Sequence, residues 1–138
     1  MIKMNRRFGI TKQENTQKIN MNWKDITEVN TLDTIESNSF DQPIIIYKHS
    51  TRCSVSSMAL NRLERSWIAD EMQHVAVYFL DLIAHRDLSN LIAEKFNVYH
   101  ESPQLLVINA GKCTYNTSHM GISYRELKNN LGSPELAS

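Results

Sequence analysis

Ile44-Ile45-Ile46-Tyr47-Lys48-His49-Ser50-Thr51-Arg52-Cys53-Ser54-Val55-Ser56-Ser57-Met58-Ala59-Leu60 is the stretch from which the fold can be read. After the punctuation of Gln42-Pro43, the β-branched run has the composition of a strand buried on both faces. Beyond Thr51-Arg52 the period changes. Val55, Met58, Ala59, Leu60, Leu63, Trp67 and Ile68 recur largely at intervals of three and four, the spacing of a helix that begins at or beside Cys53. A second buried strand, Val75 to Leu82, follows that helix. Two such strands joined by a helix predict a right-handed parallel β-α-β unit.

Working outward, Trp23-Lys24-Asp25-Ile26 fits a short edge strand, and Thr31 is placed to cap a short helix carrying Leu32 and Ile35. Downstream, Leu88, Leu91, Ile92 and Phe96 share a helix face whose cap is expected at Asp87 or Ser89. Glu101-Ser102-Pro103-Gln104 leads into the strand Leu105 to Ile108, Ala110-Gly111-Lys112 turns the chain, and Cys113 to Thr117 return as a hairpin strand. Ile122, Leu127 and Leu131 predict a closing amphipathic helix, with Gly132 and Pro134 as stop signals. The order β-α-β-α-β-α-β-β-α describes an α/β domain, a central mixed β-sheet flanked by helices, over 22–138. Residues 1–21 are polar and lack an apolar stripe, so they read as a flexible N-terminal extension.

Composition narrows the function. A chain of 138 residues with 41% hydrophobic residues is one domain's worth, and 15 Lys and Arg against 15 Asp and Glu leave no net field to hold phosphates. Neither nucleic acid nor an anionic membrane is an expected partner. The longest apolar run, Val75 to Ile83, contains Asp81 and falls far short of the roughly 20 residues that span a bilayer. The first ten residues have a basic start but no apolar stretch behind it, so no secretory signal is read, and a reduced, cytoplasmic protein is the expectation. Two cysteines allow at most one disulfide and no four-cysteine zinc site, and His74, His85 and His100 show no ligand spacing, so no metal is expected.

The chemistry centres on Cys53. A thiol at the first turn of a helix meets the unpaired N–H groups and the positive end of the macrodipole, and Arg52 adds a cation; both stabilise a nucleophilic thiolate. The alternative is a small buried hydrophobe. The polar company of Thr51, Arg52, Ser54, Ser56 and Ser57 favours reactivity. The topology brings Ser102-Pro103 beside the end of the strand that delivers Cys53, where a cis bond would leave the Ser102 N–H and C=O free for a substrate peptide or thiol. Only about 5–6% of X-Pro bonds in folded proteins are cis. Cys113 falls just past the hairpin turn, roughly 20 Å along the strand from the Cys53 end, beyond disulfide reach. The returning strand carries Thr117, Ser118 and His119 back toward the thiol, where His119 could donate a proton or a hydrogen bond; His49 is read chiefly as structural.

This arrangement resembles the thioredoxin superfamily. More narrowly, Tyr47-Lys48-His49-Ser50-Thr51-Arg52-Cys53-Ser54-Val55-Ser56, with Ser102-Pro103-Gln104 and Ser118-His119, is similar to the YtxJ-like family, the monothiol bacilliredoxins of the bacillithiol system. The similarity runs from about Trp23 to Leu131. It implies a thioredoxin-like monothiol oxidoreductase with no bound cofactor. Its co-substrate would be bacillithiol or a similar low-molecular-weight thiol, and its partners S-thiolated client proteins. By the same resemblance Cys53 is the attacking residue, Ser56 stands where a dithiol protein has its second cysteine, and Pro103 is the cis proline. Thr51, Arg52, Ser54, Ser56, Ser102, Pro103, Gln104 and His119 are then the expected substrate-binding residues. Ser54 departs from the pattern, which has proline there, and supplies a backbone N–H that proline lacks. Two other readings stay open: a monothiol glutaredoxin-like iron–sulfur carrier, and a non-catalytic thioredoxin-like binding module.

Overall fold

The computed structural model describes residues 21–132. Its elements are β1 (Lys24–Asp25), α1 (Val29–Asn38), β2 (Ile44–His49), α2 (Ser54–Ser66), a 3-10 turn (Ala69–Met72), β3 (Ala76–Asp81), α3 (Arg86–Lys95), β4 (Gln104–Asn109), β5 (Lys112–Ser118), a second 3-10 turn (His119–Gly121) and α4 (Tyr124–Asn129). The five strands form one mixed sheet in the order β1-β3-β2-β4-β5. β2 runs parallel to β3 and antiparallel to β4, and β1 is a parallel edge strand on β3.

Every residue of β2 is buried because the strand lies at the centre of the sheet with helices on both faces. Alternate side chains feed two cores. Ile45 and Tyr47 join Ala59 and Leu63 of α2 and Leu127 of α4 on one face. Ile44 and Ile46 join Leu32 and Ile35 of α1 and Leu88 and Ile92 of α3 on the other. Lys48, next in that second series, therefore enters an apolar layer and is 0% exposed.

The described residues depart from expectation at the helix ends. α1 begins at Val29 with Glu28 as N-cap, so Thr31 lies inside the helix; α3 begins at Arg86 with His85 as N-cap, so Asp87 and Ser89 lie within it. Ser89 is fully buried instead of capping. α2 stops at Ser66, and Trp67, expected to continue it, turns extended (ψ 130°). The expected extension lies outside the described residues except for Met21, which belongs to the domain: it is buried in the first core.

Candidate active site

Cys53 is the N-cap residue of α2. Its side chain makes no capping hydrogen bond, and no acidic residue stands in the helix's first turn. The first N–H groups of that turn lack helical partners and form the positive end of the helix dipole next to Cys53. The preceding loop is closed by Cys53 N–H donating to Ser50 O (3.2 Å), and the helix opens with Ser57 N–H donating to Cys53 O (3.2 Å). Thr51, Arg52 and Ser54 are exposed around the half-buried thiol.

Ser56, at the position of a second cysteine, is 0% exposed. Its Oγ accepts from Ser50 N–H (3.1 Å) and lies 2.7 Å from His49 Nδ1. The hydroxyl keeps both a second lone pair and its proton for His49 Nδ1, so the direction of that bond follows the imidazole tautomer. Tyr47 donates its hydroxyl to the Ser56 carbonyl (3.1 Å), and burial holds the Tyr47 phenol far above its ordinary range. Ser56 therefore spends its side chain on the β2–α2 loop, inside the protein, although the sequence placed it among the substrate-binding residues.

The opposite wall comes from the chain entering β4. The Ser102-Pro103 peptide bond is cis. Since Lys48 pairs with Gln104 across β2 and β4, Pro103 lies one step beyond, at the end of the sheet from which the Cys53 loop leaves. The His119 N–H donates to Pro103 O (3.2 Å), and its Nδ1 is 3.7 Å from Glu101 Oε1, so β5 does return His119 to this end. Arg62 of α2 donates through Nε and Nη2 to Ile122 O (3.3 and 3.0 Å), which ties the helix that follows Cys53 to the segment after β5. Gln104 is 1% exposed, with Nε2 donating to Tyr99 O (2.8 Å) and Oε1 accepting from Glu101 N–H (3.4 Å). Its side chain braces the loop from within, whereas the sequence had placed it at a ligand. Ser102 Oγ is buried without a hydrogen-bond partner.

Cys113 sits at the other end of the sheet. It pairs with Ile108, which pairs with Ile44, the first residue of β2. Its Sγ donates to Tyr115 O (3.3 Å), and burial pushes its thiol up. The sequence reading missed the His49–Ser56 pair and the contacts of Lys48; a lysine closing an otherwise apolar strand run was the available signal.

A parallel β-α-β unit with a thiol at its strand-to-helix turn, faced by a cis proline at the start of the antiparallel hairpin, defines a protein of thioredoxin fold with one cysteine at the site. The family model for the monothiol bacilliredoxin BrxC matches residues 24–127, and the chain belongs to that family. Among solved structures, a thioredoxin-fold protein with an oxidoreductase assignment is 28% identical, with TM-score 0.66 over 78% of this chain and 92% of that one. The fold is also shared with thioredoxin from Malassezia sympodialis (16% identity, TM-score 0.60, 79% and 87% covered). Spinach chloroplast thioredoxin F, in its long form, is similar as well (13% identity, TM-score 0.61, 86% and 90% covered). No helix among the described residues is long and apolar enough to cross a membrane.

Proposed function

We propose that the protein removes bacillithiol, or a low-molecular-weight thiol like it, from the cysteines of S-thiolated client proteins. The supporting observation is the isolation of Cys53: a thiol at a helix N-terminus, with a hydroxyl committed to the loop at the second-cysteine position and the other cysteine at the far end of the sheet. The Cys53 thiolate attacks the outer sulfur of the mixed disulfide, the one that belongs to the small thiol. The client sulfur leaves as a thiolate and takes a proton, so the client is reduced and Cys53 carries the small thiol. A second small-thiol molecule, as its thiolate, attacks that sulfur, departs as the symmetrical disulfide and returns the Cys53 thiolate. No protein cysteine is needed for this resolving step. Thr51, Arg52 and Ser54 line one side of the reacting sulfurs and the Ser102-Pro103 segment with His119 the other.

The test is de-thiolation of a client peptide carrying a bacillithiol disulfide, followed by mass spectrometry with bacillithiol as reductant. Cys53→Ser abolishes turnover and Cys113→Ser retains most of it. Equal loss in both variants overturns the one-cysteine mechanism, and a wild-type protein that leaves the peptide thiolated overturns the function.

A further inference from the structure

Lys48 is fully buried, yet none of the ion pairs among the described residues includes it. Its Nζ donates to Ser89 O of α3 (3.2 Å) and to His100 Nδ1 (3.4 Å). Ser89 Oγ lies 3.1 Å from the same ring nitrogen. An ammonium can only donate, so Nδ1 accepts and the neutral ring carries its proton on Nε2. Desolvation pulls the lysine down to about 8; at His100 desolvation first, then Lys48 and Arg86, act against protonation, with Glu101 opposing them. A buried cation with no anion costs stability, and methionine would fill much the same space at no such cost. Stability therefore does not account for a lysine here.

Geometry does. Segment 99–103, which delivers Ser102 and Pro103, is held by Gln104 at Tyr99 O and Glu101 N–H, by His119 at Pro103 O, and by Lys48 at His100. Lys48 alone among these belongs to β2, the strand that leads into the Cys53 loop. It thus connects the element carrying the nucleophile to the loop forming the facing wall.

We propose that Lys48 is a positioning residue for the groove, which by binding His100 and the Ser89 carbonyl together fixes how Ser102 and Pro103 meet the chain of a bound mixed disulfide. The inference rests on the de-thiolation reading for its substrate and on hydrogen bonding alone for its structural part. In the full-length chain, Lys48→Met keeps or raises the melting temperature. It leaves the rate of Cys53 alkylation by iodoacetamide within about twofold of wild type, and raises KM for the bacillithiolated peptide about tenfold with kcat within about threefold. His100→Leu, which cuts the same link from the exposed side, has the same effect, and the double variant is no worse than either single one. The His100 ring titrates higher in Lys48→Met, because a neighbouring positive charge is gone. An unchanged KM, or a KM change accompanied by an equal fall in alkylation, overturns the proposal. Should wild type fail to turn over the peptide, the function is refuted and amide exchange decides the positioning role. Exchange at Glu101 and His119 about tenfold faster in Lys48→Met supports it, and unchanged exchange overturns it.

Discussion

At the scale of single residues, Ser56 carries more structure than its hydroxyl would announce. Its Oγ is the partner of the Ser50 N–H, in the loop that sets Cys53, and of the buried His49 imidazole at the end of β2. Ser56→Ala removes that oxygen and leaves the Ser50 N–H and His49 Nδ1 without it. Urea unfolding is expected to show a loss of about 1–3 kcal/mol, the cost of buried polar groups deprived of a partner. Lys48 makes a second residue-scale prediction, in pH. Its folded value lies below the unfolded one, so between about 8 and 10.5 the unfolded chain binds more protons and stability rises with pH. Tyr47 and Cys113, both raised by burial, work the other way at alkaline pH, but they do so equally in wild type and Lys48→Met. The stability difference between these two proteins should therefore move in favour of wild type by up to about 3 kcal/mol across that window. A flat difference from pH 7 to 10 contradicts an uncompensated Lys48. Cys53 and Pro103 were legible in the sequence because each announces itself within a few neighbours, as a strand-to-helix turn and a strand opening. The Lys48–His100 link was not, since its two ends are 52 residues apart and meet only after α3 packs on the sheet.

Among the elements, the β4–β5 hairpin was read from Ala110-Gly111, and its backbone suits the glycine but not the alanine. Both have positive φ (49° and 79°), the left-handed region where glycine is free and alanine is strained. A Cβ on Gly111 would also lie 3.2 Å from the Phe40 ring. The two positions predict opposite signs: Gly111→Ala costs about 1–2 kcal/mol, and Ala110→Asn gains about 0.5–1 kcal/mol, since asparagine tolerates this conformation. Thermal unfolding of the two variants measures both. The end of α2 shows why other boundaries escaped the sequence. Trp67 and Ile68 continue the helical period, and no glycine or proline stops them. The helix ends because the Trp67 ring packs edge-on against Tyr124 (5.5 Å) while the Ile68 carbonyl accepts from the Tyr124 hydroxyl (3.4 Å), both interactions with a helix more than fifty residues away. Local periodicity contains no record of that partner. The expected caps at Thr31, Asp87 and Ser89 failed for a related reason: Glu28 and His85 begin their helices without side-chain capping bonds, so residue type left no signature.

For the molecule as a whole, the sheet separates two thiols that composition alone would have allowed to pair. Cys113 lies level with Ile44, while Cys53 follows His49 through the loop at the opposite end. The five residue steps of extended strand from Ile44 to His49 span about 17 Å, against the roughly 7 Å limit between the Cα atoms of a disulfide. No side-chain rotation closes that gap, and β2 and β4 cannot slide without moving their buried residues to the wrong faces. Oxidation of the folded protein with diamide, free of any small thiol, should therefore yield no internal Cys53–Cys113 disulfide. Mass spectrometry of non-reduced peptides should find disulfides between molecules only, through Cys53 first because burial pushes the Cys113 thiol up. Added small thiol should redirect the oxidation into a one-to-one adduct on Cys53. A monomer with both cysteines joined, formed under native conditions, would contradict the strand register and with it the need for an external thiol to complete the cycle.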